Sequence, residues 1–471
     1  MKYNDTLSGK YTRVPVYREL RINSFDFMSL VKAMDRRGYC IFLESAGKTK
    51  EKGRFSFLCF NPAETIAEKN GRVVITENGE SVLYEGTLFD YIDKKISGFT
   101  SPVTGEFGDF NGGYAGYAGS ISSGCNMEDD VTAEFMLVDE FVVFDNHTGR
   151  YHLCTVVYPD AGDARVVAAV SEARLDSLEH EIMELIAEER IHFLPSKSEQ
   201  VAVDPAVSME SFLDSTERLR ENLSDSGMPL ASVSLDFRAR GEFSAFSFYM
   251  KLRGVSPSPY MYYMHLPHSR IAGSSPETHL KIRSGTMTMK PASGYTAVPQ
   301  SRHGRAAVRR ELLRSVQDRG VHSVLVDYAR DSLAASAVEG TVTVKNFMDT
   351  VEYQNRLRMV TKINAILRPG MGMAAALGGT VNPVNRASGF TGSEDARTTT
   401  CASGVSVAGY FGFNRCCDLC VMTGCAVFNQ SGAVIQGHAH VHAESISEDV
   451  LAAVTTSAST AAICLGFALP G

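Results

Sequence analysis

The 471-residue chain has no tryptophan, no apolar run approaching the ~20 residues a membrane helix needs, and no excess of positive charge. The missing tryptophan excludes nothing. The missing run excludes a helical membrane span, and the opening stretch Met1 to Asp5 is polar. A soluble cytoplasmic protein is the expectation. With 46 Lys+Arg against 54 Asp+Glu, the formal charge is −8, the wrong sign for a nucleic-acid binder. No fixed-period repeat is visible. Cys417-Asp418-Leu419-Cys420 spells C-x-x-C, but a second such pair, which a zinc ribbon requires, is lacking. The ten cysteines are therefore read as reduced thiols, those from Cys416 to Cys425 as small core residues.

What is present is globular: 44% hydrophobic and 21% charged residues, enough to build a large core. Short strand-like runs fill the first part, at Cys40 to Leu43, Val73 to Thr76 and Glu140 to Phe144, the last ending in the turn Asp145 to Gly149. From Asp163 to Ile191 apolar residues recur at helical spacing (Val166, Val170, Leu175, Leu178, Ile182, Leu185, Ile186). The polar stretch Pro195 to Gln200, followed by Asp204-Pro205, reads as a linker, which divides the chain into 1–192, a linker at 193–208, and 209–471. In the second half Arg309 to Ala337 and Val351 to Leu367 read as helices, and Cys420 to Phe428 and Gly432 to Val441 as strands. Runs of both kinds without βαβ alternation indicate α+β with large antiparallel sheets.

Several stretches together resemble one family, the chorismate-utilising enzymes, and within it the large subunit, component I, of anthranilate synthase. They are Arg13 to Glu19, Phe42-Leu43-Glu44-Ser45, Gly53 to Phe57, Gly112-Gly113-Tyr114-Ala115-Gly116-Tyr117 and Val142 to Asp145. In the second half they are Ser256-Pro257-Ser258-Pro259-Tyr260-Met261, Gly273-Ser274-Ser275-Pro276-Glu277 and His322 to Arg330. The resemblance implies a two-subdomain fold around two packed, mostly antiparallel sheets, and an active site in which Glu277 is the general acid. It further implies magnesium at the substrate carboxylates, since a hard cation takes carboxylate oxygens and neutralises a dianion. Ammonia from a glutaminase partner is implied too, as is an amino-acid-sensing pocket between the sheets with Glu44, Ser45, Pro257, Tyr260 and Met261.

The same resemblance shows substitutions. Where it places metal-binding glutamates, this chain has Val321 and, in its C-terminal helix, Val450 and Ala453. A phrase carrying a small hydroxyl and two arginines has become Gly294-Tyr295-Thr296-Ala297-Val298, and a carboxylate-binding arginine has become Thr423. Tyr295, Gly294 and Thr423 are therefore the expected substrate contacts. A lysine loop has become Gly379-Thr380-Val381-Asn382-Pro383-Val384. Each lost charge-assisted contact is worth about 1.5–3 kcal/mol, so magnesium-dependent chorismate chemistry is not expected.

In its place stands Gln436-Gly437-His438-Ala439-His440-Val441-His442, where i, i+2 and i+4 put three imidazoles on one strand face. With His322 they could hold a transition metal such as Zn, Fe, Ni or Cu. They could equally fill the vacated space and bond to water or backbone. Three functions stay open: a repurposed enzyme acting on a different small molecule, a non-catalytic binder of a ligand or partner (a glutaminase subunit or another pathway enzyme), and a true anthranilate synthase.

Overall fold

A computed structural model describes residues 11–46, 53–103, 107–119, 131–159, 164–192, 203–226, 229–299, 301–353, 356–381, 406–429, 432–466 and 469. Its strands form an 11-stranded and a 12-stranded sheet built from antiparallel pairs, the expected α+β architecture. One core lies between the sheets: Ile41, Phe141 and Met264 of the first meet Tyr114, Phe135 and Leu419 of the second. A second core covers the outer face of the 11-stranded sheet, where Leu30, Leu178, Tyr249 and Val454 bring in the helices Ser24–Arg37, Ala164–His192, Ala245–Val255 and Ser447–Leu465. Two faces of one sheet are thereby buried, so its strands read as apolar runs rather than alternations.

Both sheets take strands from either side of residues 193–208. Cys40–Glu44 pairs with Tyr260–His265 in the first sheet, and Gly113–Ala118 with Val407–Gly412 in the second. Asp204 and Pro205, read as linker, belong to a short strand, Val203–Pro205, on the edge of the 11-stranded sheet. An edge tolerates proline because its missing N–H faces no neighbour. Residues 193–202 of that linker, and the Asp163 position before the long helix, lie outside the described residues. At the far edge of the 12-stranded sheet, Glu80–Tyr84 exposes Val82 and Leu83.

Three expectations are corrected. The stretch from Arg309 to Ala337 is two helices, Arg302–Arg314 and Val316–Ser336. Ser315 divides them, its hydroxyl accepting from the Asp318 N–H as the second helix's N-cap. Val351 to Leu367 is not helix but the ends of a hairpin, Thr343–Tyr353 with Arg356–Ile366. There Leu357, Met359, Thr361, Ile363 and Ala365 are buried at period two, and branched side chains favour the pleat. Cys420 to Phe428 is likewise two strands, Cys417–Val421 and Cys425–Asn429, in different sheets. Gly424 between them takes φ of +58°, the left-handed region that glycine tolerates. All eight described cysteines are free and buried, as small core residues should be.

Candidate functional site

The 12-stranded and 11-stranded sheets exchange chain at two neighbouring corners. At Pro276-Glu277 the chain leaves Arg270–Ser275 in one sheet for Thr278–Arg283 in the other, and at Met422 to Gly424 it returns. The corners are tied together, the Val421 N–H donating to the Glu277 carbonyl at 3.1 Å. A cavity of about 820 Å³ opens there, walled also by the helix Val316–Ser336, the histidine strand Gly432–Val441 and the C-terminal helix Ser447–Leu465.

Glu277 sits in this wall. Burial pushes its carboxyl up to about 7, against the pull of the Arg358 guanidinium and a hydrogen bond from the Ala292 N–H. Arg358 Nη1 lies 3.8 Å from Glu277 Oε2. The guanidinium is itself only 6% exposed, and burial brings it down to about 10. A carboxylic acid that titrates near neutral pH inside a cavity is suited to giving and taking a proton.

The same cavity is lined by Val321, Val450 and Ala453, and by His438 and His440. Val450 is buried, and Ala453 shows its surface to the cavity. The magnesium that the resemblance implies does not fit these residues: apolar side chains stand at all three positions. Asp318, Glu444 and Asp449 line the wall as well, but among the described residues no three His, Cys, Asp or Glu side chains stand together as metal ligands.

The four histidines are not brought together as a set. His322 is wholly buried away from the cavity wall, with Ser293 Oγ on Nδ1 and Thr361 Oγ1 on Nε2, each at 2.8 Å. Both of its ring nitrogens are satisfied by hydroxyls, so it packs rather than ligates. His442 falls just past the strand end, where its Nε2 meets Gln317 Nε2 at 2.9 Å. His440 Nδ1 meets Ser232 Oγ at 3.1 Å, a strand-pair contact. It is surface-accessible yet surrounded by protein, as a side chain projecting into a cavity must be. His438 Nε2 is buried with no hydrogen-bond partner. Burial holds its imidazole at about 4, so it is neutral at pH 7.

Of the expected substrate contacts, Gly294 and Thr423 line the cavity. Tyr295 belongs to the strand Ala292–Ala297, but its side chain lies outside the described residues, as does the stretch Asn382 to Val384. The polar groups expected around the inter-sheet pocket are paired within the protein. Glu44 takes a bond from the Tyr249 hydroxyl at 2.6 Å and an ion pair with Arg253 at 2.8 Å. The Ser45 hydroxyl donates to the Pro259 carbonyl at 2.7 Å, Tyr260 bonds Thr278 and Asp418, and Met261 is buried in the core beyond the strand start. Pro257 is not in the cavity wall, although Ser256 and Ser258 on either side are.

The wall also holds two arginines absent from the sequence expectations, Arg356 and Arg358. Reading their strand as helix concealed them, whereas period two would have placed both on one face.

A family model described as chorismate binding enzyme matches residues 38–381. The anthranilate synthase component 1 of Acetivibrio thermocellus is 25% identical over 460 residues, covering 94% of this chain and 93% of that one. Among solved structures, anthranilate synthase component I from Streptococcus pneumoniae TIGR4 superposes with a TM-score of 0.68 at 19% identity, covering 87% of this chain and 92% of that one. The menaquinone-specific isochorismate synthase of Escherichia coli does so with 0.65 at 12% identity, over 98% of this chain and 97% of that one. No helix among the described residues is long and apolar enough to cross a membrane. With a cavity at the crossing of its two sheets, the fold of these solved structures and a family match over most of its length, the chain belongs to the chorismate binding enzyme family.

Proposed function

We propose that this chain is a repurposed member of its family, an enzyme acting on a different small molecule in the same cavity, with Glu277 as the acid/base and no bound magnesium. One observation carries the reading: Glu277 titrates near 7 in a cavity whose Val321, Val450 and Ala453 offer a hard dication no oxygen. The relatives are named as first components of their synthases, so a partner subunit in the cytoplasm belongs to the proposal. The test follows a panel of cyclic carboxylic acids by mass spectrometry with wild-type protein and Glu277→Gln. A protein-dependent product that falls by roughly 10²-fold or more in the variant supports the reading. Anthranilate formed from chorismate, ammonia and magnesium, and lost in Glu277→Gln, overturns it. Ligand binding with no turnover across the panel turns the chain into a non-catalytic binder.

A histidine-held transition metal is a second reading, favoured by the unpartnered Nε2 of His438, two residues from His440 on the same strand face. Elemental analysis of protein purified without chelator or metal-affinity tag decides it, and substoichiometric metal removes it.

A further inference from the structure

We infer that the strand Glu80–Tyr84 pairs with the same strand of a second copy of this chain, antiparallel about a two-fold axis through Val82, so that two 12-stranded sheets become one. The inference is independent of what the cavity binds.

Among the described residues, every other sheet edge carries a device that keeps strands away. Val14–Leu20 contains Pro15 and Val203–Pro205 ends in Pro205, and proline offers a neighbour no N–H. Ala292–Ala297 and Thr343–Tyr353 are broken by shifts in register, the second with Asn346 and Met348 at positive φ. Glu80–Tyr84 has no proline, no lysine and no bulge, and it runs in unbroken register against Arg72–Glu77. It is the bare edge among blunted ones, and a second copy is the occupant its pattern fits.

The hairpin decides which backbone groups are free. Asn78 and Gly79, at φ of +52° and +82°, make the two-residue turn, so Glu77 and Glu80 exchange the first ladder bonds. Alternation then turns the N–H and C=O of Glu80, Val82 and Tyr84 toward Arg72–Glu77 and leaves those of Ser81 and Leu83 pointing outward. The Thr76 and Ser81 hydroxyls agree, standing 2.9 Å apart as side chains do in a pair that shares no ladder bond.

One antiparallel register satisfies all of these free groups. Ser81 set opposite Leu83 of the second copy, twice by symmetry, makes four ladder bonds, whereas centring the pair on Ser81 or Leu83 uses only half the groups within the strand. The same register brings Val82 against Val82 in the close position between ladder bonds. Glu80, the only charged side chain of the strand, falls opposite Tyr84, so no like charges are opposed. Exposed Val82 and Leu83 are both covered. A two-fold pairing of this kind closes at two copies. With only 5 residues a side the interface is small, and association in the micromolar range or weaker is expected.

The test is register-specific cross-linking of the full chain. Cys125→Ser and Cys401→Ser form the background, since the eight described cysteines are buried. Ser81→Cys, Val82→Cys and Leu83→Cys are made singly and oxidised with diamide, and the disulfide-linked dimer is followed on non-reducing gels. Val82→Cys is expected to cross-link at least tenfold faster than either neighbour alone, and Ser81→Cys mixed with Leu83→Cys faster than each by itself. Adding Ser81→Pro, which removes an outward N–H and no bond inside the chain, is expected to slow Val82→Cys tenfold or more. Leu83→Pro does the same should the first proline variant fail to unfold cooperatively. Equal rates at the three positions, or an undiminished Val82→Cys rate in either folded proline variant, overturns the inference. So does a background protein that sediments as a monomer at every concentration, which would leave the edge to a strand of a different protein.

Discussion

Glu134 shows how one buried side chain sets a slope in stability. It is fully buried, accepts from the His268 N–H at 2.9 Å, and leaves Oε2 without a partner. Burial pushes its carboxyl up to about 8 from an ordinary 4.5. The folded state thus holds a proton that the unfolded chain releases above about 4.5, so this contribution to stability is present below that pH and is lost as pH rises through 8. Glu134→Gln keeps an acceptor and removes the titration. Its stability advantage over wild type should grow between pH 5.5 and 8.5, reaching on the order of a few kcal/mol, as read by urea unfolding at both pH values. An advantage independent of pH would contradict the assignment. His322 offers a second case at this scale: His322→Leu removes the ring that pairs with the Ser293 and Thr361 hydroxyls, leaving Thr361 only the Met348 N–H, and should cost about 1–3 kcal/mol with no change in metal content. A loss of bound metal in that variant would restore it as a ligand. A place in the cavity wall was readable in sequence for Glu277 and for the strand of His438 and His440, because a short motif and a period-two alternation carry direction within themselves. For His322 it was not, since nothing in a helix sequence says which hydroxyls from distant strands will meet its ring.

At the scale of elements, the contact between the histidine strand and the C-terminal helix is the most sensitive one around the cavity. A Cβ on Gly437 would stand 2.3 Å from the Val454 carbonyl oxygen, and backbone cannot step aside as a flexible side chain does. Gly437→Ala should push the helix Ser447–Leu465 off the strand, moving Val450 and Ala453 with it. About 1–3 kcal/mol of destabilisation is expected, with faster hydrogen exchange confined to that helix. Unchanged exchange there would mean the strand yields instead. Elements were legible where periodicity was long and clean, as in Ala164–His192 and Gly432–Val441. They were misread where one residue decides. Ser315 ends one helix and caps the next, and Gly424 turns an apolar run into two strands of separate sheets. The misread strand Arg356–Ile366 had the largest effect, because a helical reading scatters Arg356 and Arg358 that the pleat places side by side.

Across the whole molecule, the halves 1–192 and 209–471 are not independent bodies, since strands of each complete sheets of the other. Expressed separately, neither should show a cooperative unfolding transition, whereas the two co-expressed should co-purify and regain the cavity's ligand binding. A cooperative transition in the isolated second half would refute this. The α+β class with large antiparallel sheets was legible from sequence, because runs of strands and helices without alternation leave few other architectures, and the pair of packed sheets was what the family resemblance implied. The interleaving was not, for strand order across long separations leaves no local trace.

The strand Glu80–Tyr84 has a practical bearing. Among the described residues it closes one edge of the 12-stranded sheet with an unpaired ladder of N–H and C=O groups, and Val82 and Leu83 beside them are 59% and 63% exposed. Such an edge can recruit a strand from a second molecule, so concentration becomes a variable in every titration of this protein. Val82→Lys should suppress self-association in sedimentation experiments and leave the thermal midpoint nearly unchanged, and persistence of the oligomers would place the sticky surface elsewhere.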